Sequence, residues 1–204
     1  MEYEHIYSHS EPNSAYETRA KEYFLEAFEE GRIDNWEKAI QLYTKAIEAN
    51  PDYADAYFNR GSAKWTTKDI TGAYKDFSKV ISLDAKNPEN YLTRGNVARS
   101  IGDIYGAFWD YHQAVLLSDD FAEAYHLRGQ IWSDLGEFQN ALKDCNKALA
   151  IKPELIRCYA TRSHIKVNLQ DYDGALADAN ELLKLVDKDE KGYAHFIRSY
   201  VYYI

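Results

Sequence analysis

AYFNRG, residues 56–61, sets an arginine and a glycine inside a stretch that otherwise has the apolar spacing of a helix. The hexapeptide returns as NYLTRG at 90–95, AYHLRG at 124–129 and CYATRS at 158–163, so Arg60, Arg94, Arg128 and Arg162 stand 34 residues apart. A fixed period of this length signals a repeat architecture and decides the fold before any single element is read. Counted from Ala20, blocks of 34 residues fill 20–53, 54–87, 88–121, 122–155 and 156–189 without an insertion. Residues 1–19 are then an N-terminal extension, partly disordered or folded on the array, and 190–204 a C-terminal capping helix.

Each block holds two apolar patterns of helical period. The first carries an aromatic at block position 4 (Tyr23, Tyr57, Tyr91, Tyr125, Tyr159) and a small residue at position 8 (Ala27, Gly61, Gly95, Gly129, Ser163). Mostly aliphatic residues stand at position 14, from Ile33 to Leu169. The breakers SIGDIYGA, DLGEFQNA and NLQDYDGA end one helix with a glycine or polar residue and open the next with Asp or Glu. In the second helix position 20 is alanine in every block: Ala39, Ala73, Ala107, Ala141 and Ala175. Small residues at both positions predict two helices crossing closely, because glycine in a helix interior costs about 1 kcal/mol and needs a compensating contact.

On these positions, and on Tyr43, Phe77 and Tyr111 at position 24, Ala46, Ala114 and Ala148 at 27 and Pro51 and Pro153 at 32, the chain resembles the tetratricopeptide repeat family. Cys145 and Ala179 at position 24, and Ala85, Asp119 and Asp187 at 32, depart from its pattern. The resemblance implies an all-α fold, an α-α superhelix (a TPR solenoid) of antiparallel helix pairs, concave on the side of the first helices. It also implies a non-catalytic scaffold that holds a partner peptide or helix in that groove.

The arginines at position 7 recur with Asp76, Asp110, Asp144 and Asp178 at position 23, and the first block breaks both halves together with Glu26 and Leu42. Structural ion pairs are expected, with the aspartate in the arginine's own block or in the preceding one. Positions facing away from the core stripe place Phe24, Phe28, Phe58, Asn59, Trp65, Asn96, Arg99, His126, Gln130 and His164 on the expected groove. Phe24, Phe28, Phe58 and Trp65 read as an apolar entrance, unless the N-terminal segment with Ile6, Tyr7 and Tyr16 folds back over them. Some members of the resembled family clamp acidic chaperone tails with a lysine at position 5. Position 5 here is Phe24, Phe58, Leu92, His126 and Ala160, so that mode is disfavoured.

Composition narrows the function classes. The net charge of −9 opposes nucleic-acid binding. No apolar run reaches the length of a membrane span, and the acidic N-terminus lacks the form of a secretory signal, so the expected compartment is the cytoplasm. Cys145 and Cys158 read as packing residues, outside any disulfide framework or zinc site. His5 and His9 have i, i+4 spacing but no third ligand nearby. No catalytic residue, cofactor or metal is expected. The stripe Tyr193, Ile197, Tyr200 and Ile204 predicts the face by which the last helix caps the array, and Phe196, Tyr202 and Tyr203 widen its apolar surface. A homodimer through that helix is therefore the alternative role.

Overall fold

The computed structural model describes residues 11–185 and 191–203, and within them every regular element is a helix. Residues 1–10, with the His5–His9 spacing, lie outside the described residues. The chain divides into two compact units, Met1–Gly102 and Asp103–Ile204. The first holds α1 (Glu11–Arg32), α2 (Trp36–Ala49), α3 (Ala54–Thr66), α4 (Ile70–Leu83) and α5 (Pro88–Ser100). The second holds α6 (Ile104–Leu117), α7 (Ala122–Asp134), α8 (Phe138–Ile151), α9 (Ile156–Asn168), α10 (Tyr172–Leu185) and α11 (Lys191–Tyr203). Within each unit every helix packs on the next, and connections this short between packed helices make neighbours antiparallel.

The boundaries follow from cap chemistry repeated at the same place in all five blocks. Block position 15 is left-handed every time: Asp34, Lys68, Gly102, Gly136 and Gln170 have φ between 59° and 80°. This turn lets the following amide reach back five residues, as in Asp69 N to Lys64 O at 2.8 Å and Glu137 N to Trp132 O at 2.8 Å. In the second, third and fifth blocks the next helix then opens on an aspartate cap. The Oδ1 atoms of Asp69, Asp103 and Asp171 each accept from an amide three residues on, at 2.9 Å. Position 14 proves to be the residue that closes the first helix, and Ile33, Ile101 and Leu135 are exposed there.

The core is built where the small residues stand. All five position-20 alanines are fully buried, and position 24 is buried whether it is Tyr43, Phe77, Tyr111, Cys145 or Ala179. A Cβ added to Gly61 would stand 3.2 Å from both the Asp76 Cβ and the Phe77 ring. One added to Gly129 would lie 3.3 Å from the Ala141 carbonyl oxygen. In the fifth block Ser163 fills this place, and its hydroxyl donates to the Ala175 carbonyl at 2.9 Å.

The arginines lock this crossing from one side. Arg60 donates through Nε and Nη2 to the two carboxylate oxygens of Asp76, at 2.9 and 2.7 Å. Arg128 grips Asp144 in the same two-pronged way at 2.8 and 2.7 Å, and Arg162 grips Asp178 at 2.9 and 2.5 Å. Each aspartate therefore belongs to its arginine's own block. The remaining nitrogen, Nη1, reaches position 25 of the block before: Thr44 at 3.1 Å, Ser78 at 3.3 Å from Arg94, His112 at 3.0 Å and Asn146 at 2.8 Å. One guanidinium thus fastens its own hairpin and straps that hairpin to its predecessor. Arg60, Arg128 and Arg162 also lie over the tyrosine three residues earlier, at 5.4 to 5.6 Å from the ring centroid. Lys64 and Lys166 add a second cation to Asp76 and Asp178, at 2.9 and 2.8 Å. Arg94 and Asp110 fall in different units. Arg94 lies over the Tyr74 ring in the first, and Asp110 is buried in the second.

Candidate partner-binding surface

With position 7 tied to the second helices and position 8 at the crossing, positions 5, 6, 9 and 12 of the first helices are left for the inner face. In the first unit this face is less aromatic than the sequence suggests. Phe24 packs on the rings of Tyr43 and Tyr53, at 5.6 and 5.1 Å, and Phe58 packs edge-on against Phe77 at 5.4 Å. Trp65 joins the cluster around Ala73, Phe77 and Val97. All three are half-buried, because the bulky ring at position 24 of the second helix draws the neighbouring aromatics onto itself. The apolar groups that remain open are Leu25 and Phe28, both on α1. Asn59 turns its amide back to the Asp55 carbonyl at 2.8 Å. Asn96 and Arg99 stand half-buried on α5.

In the second unit the inner face is polar and cross-linked. His126 is only 4% exposed and its Nε2 lies 3.1 Å from the Thr161 hydroxyl, joining α7 to α9. The Thr161 hydroxyl donates to the Arg157 carbonyl at 3.2 Å, so it accepts from His126, whose proton is thereby assigned to Nε2. Gln130 approaches the same oxygen at 3.4 Å. The sequence places His126 on this face, but its burial between two helices makes it part of the groove floor. His164 is exposed, with the Asn168 amide bonded to its carbonyl at 2.9 Å.

His164 also borders an apolar cleft of about 260 Å³ between α9 and α11, lined by Ala160, Val167, Ile197, Tyr200 and Val201 among others. Ile197 and Val201 carry the contact of α11 with the rest of the unit, and Val201 is buried. Tyr200, expected on the capping face, is half exposed. The i+4 step from Ile197 to Val201 keeps the stripe on the packed side, where the i+3 step to Tyr200 turns outward. The side chains of Tyr193 and Ile204 lie outside the described residues. Beside Cys158, whose thiol lies 3.6 Å from the Cys145 carbonyl, the Cys145 thiol is pushed far above its usual ionisation range by that neighbour and by burial. A thiol held neutral is a packing group rather than a nucleophile.

Among the described residues no group of three or more His, Cys, Asp or Glu side chains is placed to hold a metal ion. No helix among them is long and apolar enough to cross a membrane.

The repeats built this way are those of a known family. Models of the tetratricopeptide repeat match residues 54–87 and 122–155, and a further TPR repeat model matches 33–68. The chain belongs to the tetratricopeptide repeat proteins, with the all-α solenoid fold of helix pairs that defines them. A tetratricopeptide repeat protein from Parabacteroides merdae superposes with a TM-score of 0.81 at 17% identity, covering 91% of this chain and 73% of that one. MamA from Desulfovibrio magneticus gives 0.74 at 20% identity, over 82% and 94%. YrrB, described as a TPR protein with an unusual peptide-binding site, gives 0.73 at 18% identity, over 95% and 99%. At these identities the likeness concerns the fold alone. A stretch of 45 residues is 42% identical to the protein MJ0572 of Methanocaldococcus jannaschii, 22% of this chain and 52% of that protein. The chain thus spans about half the length of the curated relative it matches. The fold is that of protein-interaction scaffolds in general.

Proposed function

We propose that the protein is a non-catalytic scaffold whose first helices hold a peptide or helix of a partner protein on their inner face. The observation that carries this reading is the division of labour around each first helix. The arginine and glycine positions are consumed by packing, while the opposite side presents Leu25 and Phe28 in one unit and His164 with its neighbouring cleft in the other. Side-chain amides and imidazoles beside apolar surface suit a backbone that needs both contact area and hydrogen bonds. The net charge of −9 argues against nucleic acid as the partner. The free cysteines Cys145 and Cys158 accord with a cytoplasmic location.

Affinity capture from a cell extract tests the reading, comparing wild type with Phe28→Asp and with His164→Glu. Both residues are exposed, so folding should be unaffected, and loss of the same captured protein in either variant supports the inner face. Capture unchanged in both contradicts it.

A second reading is self-assembly through α11, favoured by its exposed Phe196, Tyr202 and Tyr203. A Tyr203→Lys variant that remains as associated as wild type would remove it.

A further inference from the structure

The first helices change in charge along the chain. Their second residue is Asp55 in α3, Glu89 in α5 and Glu123 in α7, where a carboxylate suits the positive end of the helix dipole. In α9 the same place is Arg157, which opposes that dipole. The change extends beyond one residue: α9 and α11 contain no Asp or Glu, in a chain that has 33 of them. The repeats supply the control. A first helix folds with a carboxylate at this place three times, so folding does not call for the arginine, and a residue that breaks a local rule points to function.

Two of the α9 cations are already held, since Arg162 and Lys166 both bind the buried Asp178, at 2.5 and 2.8 Å. Arg157 is exposed and has no carboxylate partner among the described residues. Arg198 on α11 has none among them either, and donates instead to His195 Nδ1 at 3.2 Å. Arg157 precedes His164 by two helical turns on the same face, about 10 Å along the axis. His164 borders the α9–α11 cleft, whose volume of about 260 Å³ falls below the roughly 300 Å³ of the smallest small-molecule sites. With walls of Ala160, Val167 and Ile197, the cleft suits a single anchoring side chain. We propose that this inner face takes an acidic segment of a partner protein, seating one bulky apolar side chain in the cleft and a carboxylate on Arg157. The proposal rests on the inner-face reading and names the class of peptide held there. Position 5, where the chaperone-tail clamp has its lysine, is Ala160 in the cleft wall, so contact at that point is apolar. The net charge of −9 does not oppose a short segment, because physiological salt screens exposed charges beyond about 8 Å and the local charge governs. A nucleic acid needs a longer track, on the order of six to ten phosphate contacts, which Arg157 and Arg198 do not supply.

A random-peptide display library panned on the full chain tests this. The selected peptides should carry carboxylates flanking one bulky apolar residue. A synthetic copy of the best of them should bind at least about tenfold more weakly to Arg157→Glu, and more weakly to wild type as salt rises. Glutamate suits the first turn of α9, so the thermal melt of Arg157→Glu should be no lower than that of wild type. Replacing the peptide's apolar residue by alanine should weaken binding as well. Panning on Arg157→Glu should shift the selected peptides away from acidic sequences. Peptides without an excess of carboxylates, or a library that yields no binder, would overturn the proposal. If such non-acidic peptides still lose affinity in His164→Glu or Phe28→Asp, the inner-face reading stands and only the acidic class falls. Peptides indifferent to Arg157→Glu, His164→Glu and Phe28→Asp alike would overturn both. Displacement of the peptide by an equal concentration of a single-stranded oligonucleotide would overturn the proposal in favour of nucleic acid.

Discussion

The first two repeats, both in the same unit, build one hairpin by two different means. The second uses Arg60, Asp76, Lys64 and Thr44 in a shared network of short bonds. The first has Glu26 and a buried Leu42 at the two equivalent places, and among the described residues the ion pair of Glu26 is with Lys38, at 3.9 Å. Yet α1 and α2 pack on each other as α3 and α4 do. The ionic clamp is therefore not what makes a hairpin fold. The part of the clamp that reaches beyond one hairpin is the Nη1 bond to position 25 of the preceding repeat.

Breaking one partner of the clamp should give the largest effect. Asp76→Ala strands Arg60 and Lys64, whose side chains are 13% and 18% exposed, and should cost about 3 kcal/mol or more in urea unfolding. Replacing both partners by apolar residues, Arg60→Leu with Asp76→Leu, should cost much less, about 1 kcal/mol or under. A double variant as unstable as Asp76→Ala would show the ionic network to be indispensable. At the crossing the two repeats differ by a methyl group, Ala27 against Gly61. Gly61→Val should lose about 2 kcal/mol, since even its Cβ meets the Phe77 ring at 3.2 Å. At the helix end, Lys68 holds φ of 70°, and Lys68→Gly should raise stability by about 0.5–1 kcal/mol.

The smallest effect concerns what accepts the strap. Thr44 takes the Arg60 bond with a hydroxyl, which does not titrate, whereas His112 takes the Arg128 bond with Nδ1 at 3.0 Å. Burial first, then the Arg128 charge, holds the His112 pKa below its ordinary value near 6.5. Its folded value being the lower one, the contribution is complete above pH of about 6.5 and is lost as pH falls through the folded pKa. Thermal melts should therefore drop more steeply on acidification in wild type than in His112→Asn, which keeps an acceptor without the titration.

The fold was legible because its signals are local and repeated: alanine at position 20, a small residue at 8, and a glycine or acidic residue at each turn. The clamp was half legible. Arg–Asp covariation across blocks pointed to the pairs, while the position-25 acceptors are Thr, Ser, His and Asn, chemically varied enough to hide a shared role. The inner face was the least legible. Phe24, Phe58 and Trp65 sit at outward angles, yet a ring at the helix flank bends back onto Tyr43 or Phe77, and helical periodicity alone cannot show that.

The most direct test of the inner-face account is a binding titration with a peptide selected from a display library on the wild-type protein. The account predicts that His164→Glu or Phe28→Asp weakens that peptide at least about tenfold, while Lys143→Glu on the outer face of α8 leaves it unchanged. The reverse pattern, with the outer-face substitution abolishing binding and both inner-face ones silent, would contradict it.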